Sequence, residues 1–389
     1  MARPEFDAIV IGAGSVGNPT AYFLAREGLR VLVLDEMPSS GQGQNKAAIG
    51  GVRATHSDPA KIRLGQQSLD VFAHWKEATG TDIGWKKGGY CFPAFDEKVE
   101  STLQKLLPIQ KSFHLNIDWQ DAEGIRRVVS GINPEGLRGG TYSPDDGQVS
   151  PLRASESFTN EAVRFRAEYR YRESVTSLLM EDHTVTGIKT EREEYRAPVV
   201  INTAGAYASR ICQMAGLDIP VLPESHEAGI SAPVQEFLAP LVVDLRPGPE
   251  GKTINFYFGQ DSDGQIIFCY TPKTPFSGEN RTSTFEFMPI VAARLVNLIP
   301  RLKNLTIRRV WRGLYPMTPD GAPVVGKAPK VEGLLLGIGM CGQGFMLGPG
   351  VAMNLASLAI RGKPAMDPEV FDLLSPARDI SGGKKESLR

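Results

Sequence analysis

Two short apolar runs, Ala8 to Ile11 and Val31 to Leu34, bracket a stretch in which Val16, Ala21, Phe23 and Leu24 recur at helical spacing. Each apolar run reads as a strand, so the segment reads strand, helix, strand, a βαβ unit. Residues 198 to 211 (PVVINTAGAYASRI) and 333 to 358 (GLLLGIGMCGQGFMLGPGVAMNLASL) each repeat the order of strand, small residues and helix. Elsewhere the period changes. Alternation of period two around Thr253 to Phe258 and Gln265 to Tyr270 predicts an antiparallel sheet with one buried face, and Val99 to Leu115 is helix-like. Pro247 to Gly251 and Pro272 to Arg281 read as loops, and Ser381 to Arg389 as a solvated tail.

Between the first strand and helix lie three glycines in GxGxxG spacing. Gly12 permits a sharp turn out of the strand, Gly14 permits backbone to approach a pyrophosphate, and Gly17 lets helix and strand pack closely. Pro19 falls in the first helical turn, where backbone N–H groups lack intrahelical partners anyway. Asp35, 18 residues after Gly17, is placed to accept hydrogen bonds from ribose hydroxyls and to repel a 2′-phosphate. These features predict an adenine dinucleotide. They do not by themselves separate FAD from NAD. Small residues at Ala204-Gly205 and through Gly339 to Gly344 allow further close approach to the same ligand.

Composition narrows the setting. At 389 residues the chain exceeds the roughly 250 to 300 that one hydrophobic core supports, so two domains are expected. Lys plus Arg (43) nearly cancel Asp plus Glu (44), which disfavours nucleic acid or an anionic membrane as partner. No apolar run reaches the ~18 residues of a membrane span, and the N-terminus shows no cleavable leader, so a cytosolic protein is expected. Cys91, Cys212, Cys269 and Cys341 are far apart, without CxxC or clustered histidines, so neither a disulfide framework nor a metal site is expected. Cys91, Cys212 and Cys269 read as small buried apolar residues.

Seven segments carry a family resemblance: GAGSVG (12–17), LDE (34–36), AAIGGVR (47–53), DGQVSP (146–151), VVINTAGAYA (199–208), WRGLYPMTPDGAPVVG (311–326) and GQGFMLGPG (342–350). In order and spacing the chain resembles the D-amino-acid oxidase and sarcosine oxidase superfamily of flavoproteins, notably the β subunits of sarcosine oxidase and L-proline dehydrogenase, and glycine oxidase. The resemblance implies an α/β fold, with a Rossmann-like FAD-binding domain interleaved with an α+β substrate domain on a largely antiparallel sheet. The FAD-binding pieces are expected at 1–85, 145–220 and 308–375, the substrate domain at 86–144 and 221–307, and a C-terminal tail at 376–389. Noncovalent FAD is expected, because no attachment residue is apparent, although Cys341 lies in the segment that should approach the flavin. The implied cofactor-binding set is Gly12, Ala13, Gly14, Ser15, Val16 and Gly17; Asp35 and Glu36; Gln44, Asn45, Ala47, Ala48, Ile49 and Gly50; Val175, Ala204, Gly205 and Gly313; and Gly339, Gly342, Gln343, Gly344, Phe345 and Met346.

The implied reaction is oxidation of a carbon–nitrogen bond of an amino acid or secondary amine. A protonated ammonium has no lone pair to expel hydride, so a polar group near the nitrogen must keep the amine neutral. His226 is the first candidate, by similarity to a substrate-side histidine of proline dehydrogenase β subunits. Tyr257 and Tyr270 are expected on wall strands over the flavin, and Arg53 against the ring or a substrate carboxylate. His56, His74, His114 and His183 read as surface or helix histidines. Glycine oxidase and D-amino-acid oxidase keep a carboxylate-binding arginine where this chain has Tyr315. Monomeric sarcosine oxidase keeps a lysine where it has Met346, and Gln343 replaces a usual histidine. Arg53, Arg312 or Lys46 is left to hold a carboxylate. The family's oxygen-activating lysine would fall near Ile266, yet no lysine occurs between Lys252 and Lys273. A dehydrogenase passing electrons to a partner subunit is therefore expected, or a homo-oligomer without one. Two other readings stay open: an FAD-dependent 2-hydroxy-acid or glycerol-phosphate dehydrogenase, and a flavin-carrying electron-transfer subunit.

Overall fold

The computed structural model describes residues 5–382 and 388. The first half of the chain contributes β1 (Ala8–Ile11), α1 (Gly17–Arg26), β2 (Val31–Asp35), α2 (Pro59–Thr79), β3 (Tyr90–Ala94), α3 (Glu97–Ser112), β4 (Gly139–Ser143), α4 (Pro151–Arg164) and β5 (Glu168–Tyr171). The second half contributes β6 (Val200–Asn202), β7 (Leu222–Pro233), β8 (Leu241–Asp244), β9 (Thr253–Gln260), β10 (Gln265–Pro272), α5 (Phe287–Leu298), β11 (Ile307–Met317), β12 (Val324–Lys327), β13 (Leu334–Ile338) and α6 (Gly344–Arg361). Shorter elements join them.

A six-stranded sheet has the order β12-β13-β6-β1-β2-β5, parallel except for β12 at its edge. Its central strands are fully buried because helices α1, α4 and α6 cover one face and a three-stranded antiparallel sheet (175–181, 184–190, 194–196) with its neighbours covers the other. The glycine spacing has the causes expected of it. Gly12 adopts φ +106°, and a methyl there would lie 2.7 Å from the Thr203 carbonyl oxygen. At Gly17 an added methyl would lie 2.7 Å from Thr203 Oγ1 and closer still to the Gly12 carbonyl, so helix and strand touch backbone to backbone.

The second sheet is largely antiparallel. It runs from the short strand 276–277 through β7, β10, β9, β8, β3 and β4 to strand 118–121, with β11 paired to β7; only β8 and β3 run parallel. Period two sorts its faces. Phe256 and Phe258 of β9 and Ile266 and Phe268 of β10 pack with Phe287, Val291 and Leu295 of α5, which leaves Tyr257 and Cys269 on the opposite face. Strand β11, expected with the cofactor-binding pieces, instead pairs along its length with β7. The expected loop at 272–281 contains a two-residue strand, Phe276–Ser277. Of the expected solvated tail, Ser381 and Gly382 are exposed, but Leu388 is buried against Tyr90, Phe92, Leu241 and Val243; the remainder lies outside the described residues. His56 is fully buried, contrary to expectation. No helix among the described residues is long and apolar enough to cross a membrane, and no group of three or more His, Cys, Asp or Glu among them could hold a metal ion.

Candidate functional site

A cavity of about 770 Å³ separates the C-terminal ends of the parallel strands from the cavity face of the antiparallel sheet. All of the expected cofactor residues line it except Ala13 and Gly17. Those two act behind the surface: Gly17 packs against Gly12, and Ala13 donates its N–H to Asp35 Oδ2 at 2.7 Å. Asp35 Oδ1 accepts from the Met37 N–H at 2.8 Å, so this carboxylate ties the glycine turn to the end of β2. Burial raises its pKa, with the two N–H bonds opposing the shift. Glu36, exposed at the cavity edge, is a second acid beside it.

Two segments close around the middle of the cavity. Residues 44 to 50 are fixed to β11, because Leu314 N–H donates to Gln44 Oε1 at 2.7 Å and Trp311 Nε1 donates to the Ala47 carbonyl at 3.0 Å. Residues 339 to 343 lead into α6, whose first turn has no side-chain cap and therefore offers bare N–H groups at the cavity wall. Cys341, at φ +49°, sits in this turn with Sγ 3.2 Å from Thr318 Oγ1, and burial raises its thiol pKa.

The opposite wall is aromatic. His226 stacks on Tyr315 with ring centroids 3.8 Å apart and planes 13° apart. Tyr257 and Tyr315 share a hydrogen bond of 2.9 Å between their hydroxyls. Burial pushes both phenols well above their ordinary pKa and lifts the Cys269 thiol to about 12. The same burial, with the Arg312 guanidinium behind it, lowers His226 to about 3. Burial thus favours the neutral imidazole, which can hydrogen-bond within the cavity.

Tyr270 is not on this wall. Tyr257 pairs with Cys269, so Tyr270 is one residue out of phase and faces α5, with its ring 5.2 Å from Phe287. Tyr315, noted in the sequence only as a departure, takes the place over the cavity. The candidate carboxylate anchors separate equally clearly. Lys46 is exposed and donates to Gln42, and Arg312 lies on the far face of β11, donating to the Thr282 carbonyl at 2.9 Å. Arg53 does line the cavity, 5% exposed, between the rings of Tyr90 and Phe92. It donates to the Thr55 carbonyl and, at 2.6 Å, to the Leu388 carbonyl. Asp146 of the DGQVSP segment fixes this turn by accepting from Ala54 N–H and Thr55 Oγ1, each at 2.9 Å; burial lifts its pKa to about 6. Sequence reasoning missed Lys61, a 2% exposed lysine in the cavity wall.

The signature of the FAD-dependent oxidoreductase family (DAO) matches residues 7–358. The chain belongs to that family. It is 28% identical over 384 residues to glycine oxidase of Pseudomonas aeruginosa, covering 93% of this chain and 97% of that one. It is 24% identical over 382 residues to mitochondrial sarcosine dehydrogenase of Mus musculus, covering 94% of this chain but only 41% of the relative. The chain therefore spans about two-fifths of the sarcosine and dimethylglycine dehydrogenases it matches. Among solved structures, L-proline dehydrogenase of P. horikoshii superposes with a TM-score of 0.88 at 28% identity, covering 96% of this chain and 97% of that chain. The fold expectation is met, and the protein is an FAD-dependent oxidoreductase.

The cavity fits this flavoprotein cofactor on its own chemistry. A methyl added at Gly14 or Gly205 meets nothing within 4 Å, so both backbones face open space. Asn45 Oδ1 and Gln343 Oε1 are buried in the wall without a hydrogen-bond partner, and such acceptors carry a cost unless a ligand supplies donors.

Proposed function

We propose that the protein oxidises the carbon–nitrogen bond of an amino acid or secondary amine, and that its cofactor is held noncovalently. Gly12, Gly14 and the α6 N-terminus would take the phosphates and the polar edge of the flavin, with Asp35 and Glu36 near the ribose. Bound FAD supplies the hydride acceptor. The observation that carries the reading is the pairing of an aromatic wall, His226, Tyr257 and Tyr315, with a buried guanidinium, Arg53, in the same cavity.

The chain's own groups favour an amine over an alcohol. His226, Tyr257, Tyr315 and Cys269 are all kept neutral by burial. A hydroxy acid must lose a very weakly acidic hydroxyl proton to a positioned base, and none of these groups serves. An amine needs no such base once it binds unprotonated, because its lone pair is already available. A wall of neutral aromatic groups favours that form, since an ammonium would have to leave water to reach it; the one carboxylate beside this wall is Glu224, whose Oε2 lies 4.0 Å from His226 Nε2. Arg53 would orient the carboxylate through its planar fork. The two sheets support the interleaved domain reading, with β11 moved to the substrate side.

Dye-coupled turnover tests this. Glycine, sarcosine, proline, dimethylglycine and D-amino acids form one arm, and lactate and glycerol phosphate the other. Turnover confined to the amine arm is expected, and turnover confined to the second arm would refute the proposal.

A further inference from the structure

The aromatic wall of the cavity holds a thiol as well as rings. Cys269 of β10 is paired with Tyr257 of β9 on one side and with Ala228 of β7 on the other, so its side chain stands on the cavity face between them. It is 2% exposed. The Tyr257 and Tyr315 hydroxyls each hydrogen-bond with this thiol as well as with one another. Three groups that can both donate and accept therefore meet at one point of the wall.

Two phenols and a thiol carry one hydrogen each, and burial keeps all three hydrogens in place. Cys269 Sγ donates over 3.6 Å to the Tyr270 carbonyl, which can only accept, so the thiol hydrogen is directed to the backbone and the sulfur presents lone pairs to the hydroxyls. One hydroxyl then donates to the sulfur and receives the hydrogen of the other across the 2.9 Å contact, which uses both phenolic hydrogens. His226 Nδ1, buried in the same wall, takes neither. The last oxygen of this chain offers the cavity lone pairs alone, and a buried acceptor carries a cost until a donor meets it.

We propose that Cys269 is a positioning residue that fixes the direction of the Tyr257–Tyr315 hydrogen bond, so that the wall accepts an N–H and the enzyme takes primary or secondary amines in preference to tertiary ones. This inference rests on the proposed oxidation of an amine and adds to it the substitution at nitrogen. A neutral secondary amine donates its N–H to the wall and keeps its lone pair free to expel hydride. A neutral tertiary amine has no N–H and leaves the wall acceptor unmet.

The test uses holoenzyme and two flat carboxylates of nearly one shape, with binding read from the visible flavin spectrum. Pyrrole-2-carboxylate presents an N–H where furan-2-carboxylate presents an oxygen. Wild type is expected to bind the pyrrole about 3- to 10-fold more tightly, the range of one neutral hydrogen bond. Cys269→Ala frees a phenolic hydrogen and should erase or reverse that preference with FAD still bound. Cys269→Ser, which keeps a donor for the Tyr270 carbonyl and an acceptor for the phenols, should retain it. A thiol that serves packing alone would weaken both probes alike, and that result would overturn the inference. So would equal binding of the two probes by wild type, a full preference surviving in Cys269→Ala, or its loss in Cys269→Ser. Amine turnover by an enzyme that does not distinguish the probes would leave the proposed function standing and remove this inference. If no amine is turned over and neither probe perturbs the flavin, both fall.

Discussion

Gly14 and Gly17 stand three residues apart in one motif, yet the structure assigns their side-chain hydrogens to different jobs, and paired alanine substitutions separate them. At Gly17 the new methyl would sit 2.7 Å from Thr203 Oγ1 and 2.9 Å from the Gly12 carbonyl carbon. The Gly12 carbonyl oxygen would be nearer still, and relaxed carbon contacts need about 3.5 Å, so α1 or the turn must move by more than an ångström. One of the obstructing groups is backbone, which puts Gly17→Ala near the upper end of the overpacking range, about 3 kcal/mol. That should lower melting of the apoprotein by about 4 °C. At Gly14 the methyl meets nothing within 4 Å. Apoprotein melting should hold or rise slightly, because alanine restricts the unfolded chain. FAD affinity should nevertheless fall on the order of 100-fold, since the methyl stands between backbone N–H groups and the phosphates they serve. Melting of stripped apoprotein and fluorescence titration with FAD measure the two quantities independently. If Gly14→Ala binds FAD within about threefold of wild type, or melts as low as Gly17→Ala, the phosphate role of this turn is wrong.

Because burial holds His226 near a pKa of about 3, His226→Asn should slow flavin reduction while preserving the shape of its pH profile; loss of a limb of the profile would show that His226 titrates in catalysis. The same depressed value makes the folded state refuse a proton that the unfolded chain accepts below about pH 6.5, so this residue's contribution to stability is lost as pH falls. By pH 5 the difference is about 2 kcal/mol, and chemical denaturation of His226→Asn should show correspondingly less acid sensitivity. Tyr257→Phe leaves the Tyr315 hydroxyl without this partner and should slow reduction severalfold, whereas Tyr270→Phe should stay within about twofold of wild type; the reverse order would contradict the strand register. Reoxidation of reduced enzyme by air should be slower than turnover with a dye, because Ile266 is buried in the far core and no lysine occurs between Lys252 and Lys273, the lysines that do line the cavity being Lys61 of α2 and Lys273 beyond the end of β10. Rapid reoxidation in stopped flow would show a true oxidase.

The dinucleotide turn was legible because its requirements are local: a left-handed φ at Gly12 and a backbone contact at Gly17 each admit only glycine. Both wall strands were legible from period two, but phase was not. Tyr257 and Tyr270 both look like wall residues until pairing sets Tyr257 against Cys269 and turns Tyr270 away. Register depends on the partner strand, and the irregularity between Thr253 and Asn255 has no sequence signal of its own. Arg312 and Arg53 were equivalent as cations in the sequence; only the pairing of β11 with β7 sends one to the far face. Lys61 escaped notice because a lysine after Asp-Pro in a helix start ordinarily faces water, and its burial depends on Gly321, 260 residues away. Leu388 is hidden for the same reason, its place being fixed by Tyr90, Phe92 and Arg53.

In the proposed reaction FAD held in this cavity would accept hydride from the carbon attached to an amine nitrogen, leaving an imine. Anaerobic mixing of the holoenzyme with a single amine or hydroxy acid, followed by the visible flavin spectrum through one turnover, tests it most directly. Bleaching by at least one amino acid or secondary amine is expected, faster as pH rises toward the pKa of the free amine, with an imine or its hydrolysis product in equal amount. Bleaching by a hydroxy acid alone, or by dithionite but no amine, would contradict it.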